Sequence, residues 1–184
     1  MRALQAFMRS VTWLNDRVGH LVSYLVFFMF LFLLLEVFMR YVLRSPTVWT
    51  VELTQMLFGA YAVLSGGYLM AHGAHVNVDI FYSRFPPRIR AVVDIFTSVL
   101  FFLFLIVLLY FGGQLAWESL ERLQTSQSAW DVPVYPVKLM IPLGAGLLFL
   151  QGVVKLLNDI FIALNLGDVI GAQQQSGPSA EDAL

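Results

Sequence analysis

Two histidines and an aspartate lie close together in the segment HGAHVNVDIFYSRFPPRIR, residues 72–90. His72, His75 and Asp79 belong to residue types that bind zinc, and they would share one face if a helix continued through them. Haem in a membrane bundle usually takes histidines from facing helices, which makes His20 a further candidate. The group lacks a fourth ligand, so we favour a local role in which His75 and Asp79 hydrogen-bond the ends of two helices.

Glu36 and Arg40 form a second group, and they are spaced for an ion pair on one helix with the acid on the favoured N-terminal side. Glu52 opens the next apolar segment at about the same depth, and Arg44 is a further candidate member. A carboxylate in hydrocarbon marks either a proton or ion site or a buried salt bridge. An ion pathway needs polar groups at mid-depth, where this sequence has no charge. We therefore interpret the group as a clasp between the first two helices, or with a partner.

Composition places these residues in a membrane protein. The chain is 59% hydrophobic and 12% charged, with a mean hydropathy of +0.75, whereas soluble domains have about 25% charged residues. The absence of cysteine excludes disulfides and thiolate chemistry. There is no P-loop for ATP and no basic run that would indicate nucleic acid.

Four apolar segments are each long enough to cross a bilayer core about 30 Å thick as a helix. They are residues 19–42, 50–71, 91–117 and 133–157. The first is too long for a signal peptide and is expected to be retained. The sequence thus predicts an all-α integral membrane protein whose four-helix membrane domain covers residues 19–161.

The two ends differ from this domain. Apolar residues recur at helical spacing in residues 1–18, which predicts either an amphipathic helix in the inner headgroup layer or a direct extension of the first crossing. Residues 162–184 are small and polar and are predicted to form a disordered tail. Lysine and arginine are more frequent on the side that holds the N-terminus, which predicts that both termini are cytoplasmic. The expected interfacial anchors are Arg84, Arg88, Arg90 and Lys138.

Several motifs in this order resemble the DctQ-type small membrane subunit of TRAP (tripartite ATP-independent periplasmic) transporters. They are Arg40-Tyr41, Trp49 with Glu52, His75 with Val78-Asp79, and the segment that contains Ile141-Pro142. The resemblance covers about residues 15–157. The Tyr-Pro-x-Lys motif before Ile141 resembles the branch of this family that is named for mannitol and chloroaromatic compounds. Glu36 departs from the pattern, because many relatives have a neutral polar residue there.

The resemblance implies a supporting role and no enzymatic activity. The family's small subunit binds a large membrane subunit that carries the sodium and substrate sites, and a periplasmic protein delivers the solute, usually a carboxylate. We therefore expect a scaffold for sodium-driven uptake in a bacterial inner membrane, without a cofactor. The residues expected to hold the fold or contact the partner are Glu36, Arg40, Trp49, Glu52, His75 and Asp79.

Two alternatives remain from the residues alone. One is a haem-binding membrane anchor of an oxidoreductase that uses His20, His72 and His75. The other is a self-sufficient channel or exporter that uses Glu36.

Overall fold

The computed structural model describes residues 2–72 and 87–164. These ranges contain four α-helices: α1 (Arg2–Tyr41), α2 (Trp49–Ala71), α3 (Pro87–Glu121) and α4 (Tyr135–Ala163). An isolated antiparallel bridge joins Thr125 to Pro133 in the connection between α3 and α4. The all-α class expected from the sequence is confirmed for the described residues.

Three of these helices are long and apolar enough to cross a membrane. The qualifying stretches are Leu4–Tyr41, Val92–Glu121 and Tyr135–Ile162. The shorter α2 is not among them, so the crossing predicted at 50–71 is not confirmed by hydropathy. The α2 sequence contains the polar residues Thr54, Gln55 and Ser65 and the pair Gly66-Gly67. This helix packs against both α1 and α4.

The helices pack in the order α1, α2, α4, α3, and α1 also makes a smaller contact with α4. Glycine allows the closest approaches between them. A Cβ built on Gly144 of α4 would lie 2.6 Å from the Val63 carbonyl oxygen of α2, and one on Gly112 of α3 would lie 2.9 Å from Ile141 Cγ2 of α4. Helix association in lipid depends on such close packing, because burial from water does not drive it there.

The first helix is continuous from Arg2 to Tyr41, so a separate N-terminal helix is not confirmed. The structure shows the other predicted arrangement, in which the N-terminal residues directly extend the first crossing. Met8 and Val11 are buried and pack with Val154 of α4, which explains why the helix continues through residues that are polar on its other faces. The α4 helix continues to Ala163, beyond the predicted end at residue 157.

Both helix connections at one end of the bundle are ordered. In residues 42–48, Arg44 adopts a left-handed conformation (φ 54°), and the Ser45 N–H donates to the Met39 carbonyl over 3.0 Å. In residues 122–134, the Ser126 N–H donates to the Val132 carbonyl over 2.7 Å. We call the end of the bundle that holds these two connections the connection end.

Candidate subunit-contact sites

The Glu36 carboxylate is the centre of a hydrogen-bonded cluster at the connection end. Its Oε1 atom accepts from Arg40 Nε at 3.0 Å and from Nη2 at 2.5 Å. Its Oε2 atom accepts from the Thr50 hydroxyl at 2.7 Å, from the Thr47 N–H at 3.2 Å and from the Thr47 hydroxyl. The cluster therefore joins α1, the 42–48 connection and the first turn of α2.

The surroundings of this cluster suit a fixed structural contact. The Glu36 side chain is 6% exposed and Thr50 is fully buried, whereas half of the Arg40 side chain is exposed. Arg40 can therefore reach polar headgroups while its guanidinium neutralises the buried carboxylate. The carboxylate oxygens are occupied by protein donors, so the arrangement holds α1 against α2.

Glu52 takes part in a different contact. Its Oε2 atom accepts from the Ser128 hydroxyl at 2.7 Å, and among the described residues it has no ion pair with Arg40 or Arg44. The ring centroids of the neighbouring Trp49 and of Trp130 lie 6.4 Å apart. The start of α2 is thus fastened to the 122–134 connection, and the structure does not bring Glu52 into the Glu36 cluster that the sequence predicted.

Lys138 supports the same connection from α4. Its Nζ atom donates to Gln124 Oε1 at 2.6 Å. The Thr125–Pro133 bridge and the bond from the Val134 N–H to the Gln124 carbonyl (3.0 Å) close the loop around this contact. Lys138 therefore has a specific protein partner in addition to its expected position at the membrane surface.

A polar contact that sequence reasoning missed lies towards the opposite end. Asn15 Nδ2 of α1 donates to Gln151 Oε1 of α4 at 3.1 Å, and both residues are almost fully buried. Asn15 also packs directly against Gly67 of α2. A single amide side chain in a mostly apolar helix is the only sequence signal for such a contact. The two residues are 136 positions apart, so the signal does not show that they pair with each other.

The described histidines do not form a metal site. Residues 2–72 and 87–164 contain no group of three or more histidine, cysteine or acidic side chains that could hold a metal. His20 Nδ1 donates to the Asp16 carbonyl at 2.8 Å, and His72 Nδ1 lies 3.1 Å from the Tyr68 carbonyl oxygen and 3.8 Å from Asp16 Oδ1. His20 thus contacts its own helix, and His72 contacts Tyr68 of α2 and Asp16 of α1; this arrangement gives no support to a haem anchor.

Several predicted residues fall outside what the structure describes. His75, Asp79 and Arg84 lie in the interval between residues 72 and 87. Arg88 and Arg90 are on α3, but their side chains are not among those described.

Each of the described helices contains a long interval without a charged side chain. The longest intervals without charge are 18–35 in α1, 53–71 in α2, 95–117 in α3 and 139–154 in α4. The inner contacts of these intervals include the packing of Phe102 against Phe149, whose ring centroids lie 5.1 Å apart, and the buried hydrogen bond of Gln151 with Asn15. The described part of the bundle thus provides firm helix–helix contacts without a charged group at mid-depth.

A relative of known function contains a similar segment. The chain is 28% identical over 80 residues to the sialic acid TRAP transporter permease protein SiaT of Haemophilus influenzae (strain 86-028NP). The match covers 44% of this chain and 13% of that protein. The matching segment is thus a small part of that much longer permease protein.

A family comparison covers more of the chain. The profile described as "Tripartite ATP-independent periplasmic transporters, DctQ component" matches residues 29–161. This range includes the Glu36 cluster, α2, α3 and most of α4. The chain therefore belongs to the DctQ family of membrane components of TRAP transporters.

Proposed function

We propose that this chain is the small permease subunit of a sodium-coupled TRAP transporter. It scaffolds the large membrane subunit during uptake of an organic acid, which a periplasmic binding protein delivers. The observation that carries this proposal is that the described helices combine an interior without mid-depth charge with broad apolar outer faces. Transporter sites for solute or ion are built from polar groups and broken helices near the midplane, whereas the four described helices are continuous.

The proposed topology has four crossings in the inner membrane and both termini in the cytoplasm. At 1.5 Å per residue, the 23 residues of α2 span about 35 Å, which is sufficient for a bilayer core. The 40 residues of α1 span about 60 Å, so part of this helix extends past the hydrocarbon. We assign residues 1–18 to the cytoplasmic surface, 19–161 to the membrane domain and 162–184 to a cytoplasmic tail.

The candidate residues divide into two proposed roles. Glu36 and Arg40 fix α1 on α2, and Trp49 and Glu52 fix α2 on the 122–134 connection, so these four maintain the surface offered to the large subunit. His75 and Asp79 are proposed contacts because they match the family pattern in the α2–α3 interval. Arg84, Arg88, Arg90 and Lys138 are proposed to set the depth of the bundle in the bilayer.

Reconstitution tests this function. Proteoliposomes that contain the chain, the large subunit and the binding protein should accumulate a radiolabelled solute from a panel of organic acids, including sialic acid, when a sodium gradient is imposed. Vesicles that lack this chain should lose uptake, and vesicles with this chain alone should show none. Uptake by this chain alone, or full uptake without it, would refute the proposal.

A further inference from the structure

An open cavity of about 670 Å³ lies along one face of α1, towards the end of the bundle opposite the connection end. The described side chains that line it recur at helical spacing on this helix, and they are Trp13, Asp16, Arg17, His20, Leu21 and Tyr24. The cavity therefore combines charges of both signs with aromatic and apolar surface.

Arg17 supplies the positive charge of this cavity. Its guanidinium carbon lies 5.4 Å from the centre of the Trp13 ring, which is a cation–π contact. Arg17 forms no ion pair with another described residue, whereas Arg40 of the same helix is paired with Glu36. The guanidinium is thus available to an anion from outside the chain.

Two other arginines have no ion pair among the described residues, but they lack the further features of this site. Neither Arg9 nor Arg44 lines the cavity, and in the described part of the chain neither guanidinium lies over an aromatic ring. Arg44 belongs to the 42–48 connection, and Arg9 lies eight residues before Arg17, about 12 Å along the helix. Arg17 directly borders the uncharged interval that begins at residue 18.

Hydrogen-bond acceptors lie beside this cation in the same cavity. Asp16 and Arg17 do not pair with each other, and Asp16 Oδ1 is buried without a hydrogen-bond donor from the described residues. His72 Nδ1 is 3.8 Å from this oxygen, which is longer than a hydrogen bond. His20 Nδ1 donates to the Asp16 carbonyl, so the Nε2 atom of the neutral ring is an acceptor. The cavity thus offers a cation and, next to it, acceptors for a positively charged donor.

The order of these side chains along α1 matches the depth of a lipid headgroup. Asp16 and Arg17 lie directly before the uncharged interval 18–35, where a membrane helix passes from headgroups into hydrocarbon. Leu21 and Tyr24 follow inside this interval, and they are 71% and 67% exposed. Tyr24 lies about 10 Å along the helix from Arg17. A ligand in this cavity meets charge at one end and apolar surface at the other.

We propose that this cavity binds phosphatidylethanolamine from the adjoining leaflet. Arg17 binds the phosphate, the Asp16 carboxylate binds the ammonium group, and the beginning of an acyl chain lies on Leu21 and Tyr24. This headgroup neutralises both charges of the cavity. Phosphatidylglycerol leaves Asp16 without a cation, and the ammonium group of phosphatidylcholine cannot donate a hydrogen bond. The inference goes beyond the function proposed above and depends on the insertion of α1 in a bilayer.

Native mass spectrometry of the full chain in detergent, titrated with defined lipids, tests the headgroup site. The first phosphatidylethanolamine should bind more tightly than the first phosphatidylglycerol or phosphatidylcholine. Arg17→Ala should weaken this binding at least about tenfold, the factor that a hydrogen bond to a charged group provides. Arg44→Ala is the matched control, because it removes an unpaired arginine outside the cavity, and it should leave binding unchanged.

The same titration tests the part played by the carboxylate. Asp16→Asn removes the negative charge and should abolish the preference for phosphatidylethanolamine over phosphatidylglycerol. Equal binding of the three lipids to the unmodified chain, equal losses in the two arginine variants, or a preference that survives Asp16→Asn would overturn the proposal.

Photo-crosslinking distinguishes the lipid from a protein occupant. p-Benzoylphenylalanine replaces Leu21, and membranes that contain this chain and the large subunit are irradiated. Phosphatidylethanolamine should be enriched among the lipid adducts relative to its share of the membrane, and Arg17→Ala should remove the enrichment. A covalent adduct with the large subunit or with a second copy of this chain would overturn the assignment. The lipid adduct is expected whether or not the two subunits associate, so failure of this inference and failure of the proposed function are distinguishable.

Discussion

Substitution of Gly144 by alanine should separate α2 from α4 at their closest contact. The added Cβ would lie 2.6 Å from the Val63 carbonyl oxygen and 2.9 Å from its carbonyl carbon. These atoms belong to the backbone of α2, so a side-chain rotation cannot relieve the clash. The two helices must move apart, and contacts along their whole shared length are then weakened.

The size of the effect follows from two opposing contributions. Alanine favours the helix over glycine by about 1 kcal/mol at an interior position. Overpacking of a close contact costs about 1–3 kcal/mol. Gly146 supplies the matched control, because a Cβ there meets no atom within 4 Å and only the helix-propensity gain applies. The free energy of unfolding of Gly144→Ala should therefore be lower than that of Gly146→Ala by about 1–3 kcal/mol, the overpacking cost.

Unfolding by sodium dodecyl sulfate in mixed micelles, followed by tryptophan fluorescence and far-ultraviolet circular dichroism, measures this difference. Gly146→Ala should be at least as stable as the unmodified protein. If the two alanine variants have the same stability, the close α2–α4 contact does not exist as described.

Two further substitutions test the polar contacts between helices. Thr50→Val removes a buried donor to Glu36 and should lower the thermal unfolding temperature, whereas Thr54→Val should not, because the Thr54 hydroxyl bonds to its own helix; equal shifts would contradict the clasp. A double-mutant cycle with Asn15→Ala and Gln151→Ala should give a coupling free energy of about 0.6 kcal/mol, typical of interhelical hydrogen bonds in membranes, and a value near zero would show that the two amides do not interact.

Helix positions could be predicted closely from the length of the apolar segments alone. The crossing predicted at 50–71 corresponds to the helix Trp49–Ala71, and the crossing predicted at 91–117 corresponds to the helix Pro87–Glu121. The errors lie where polar residues continue a helix because one face is buried against a neighbour. Met8 shows this at the beginning of α1, and a pattern read along one segment cannot identify the opposing helix.

The candidate contacts were predictable only where they are local. The Glu36–Arg40 pair is four residues apart on one helix, so its spacing indicates the contact. The contributions of Thr47 and Thr50 depend on how the 42–48 connection folds back, which the sequence does not specify. The bond between Glu52 and Ser128 needs the 122–134 connection to cross towards α2, and no local pattern contains that information.

Native mass spectrometry of membranes tests the central claim most directly. The chain carries an affinity tag, is expressed with the large TRAP subunit and is released from the membrane into mild detergent. We expect a species whose mass is the sum of both subunits. Isolation of the chain by itself or as a homo-oligomer, while the large subunit is present in the same membrane, would contradict the claim that it acts as a scaffold for that subunit.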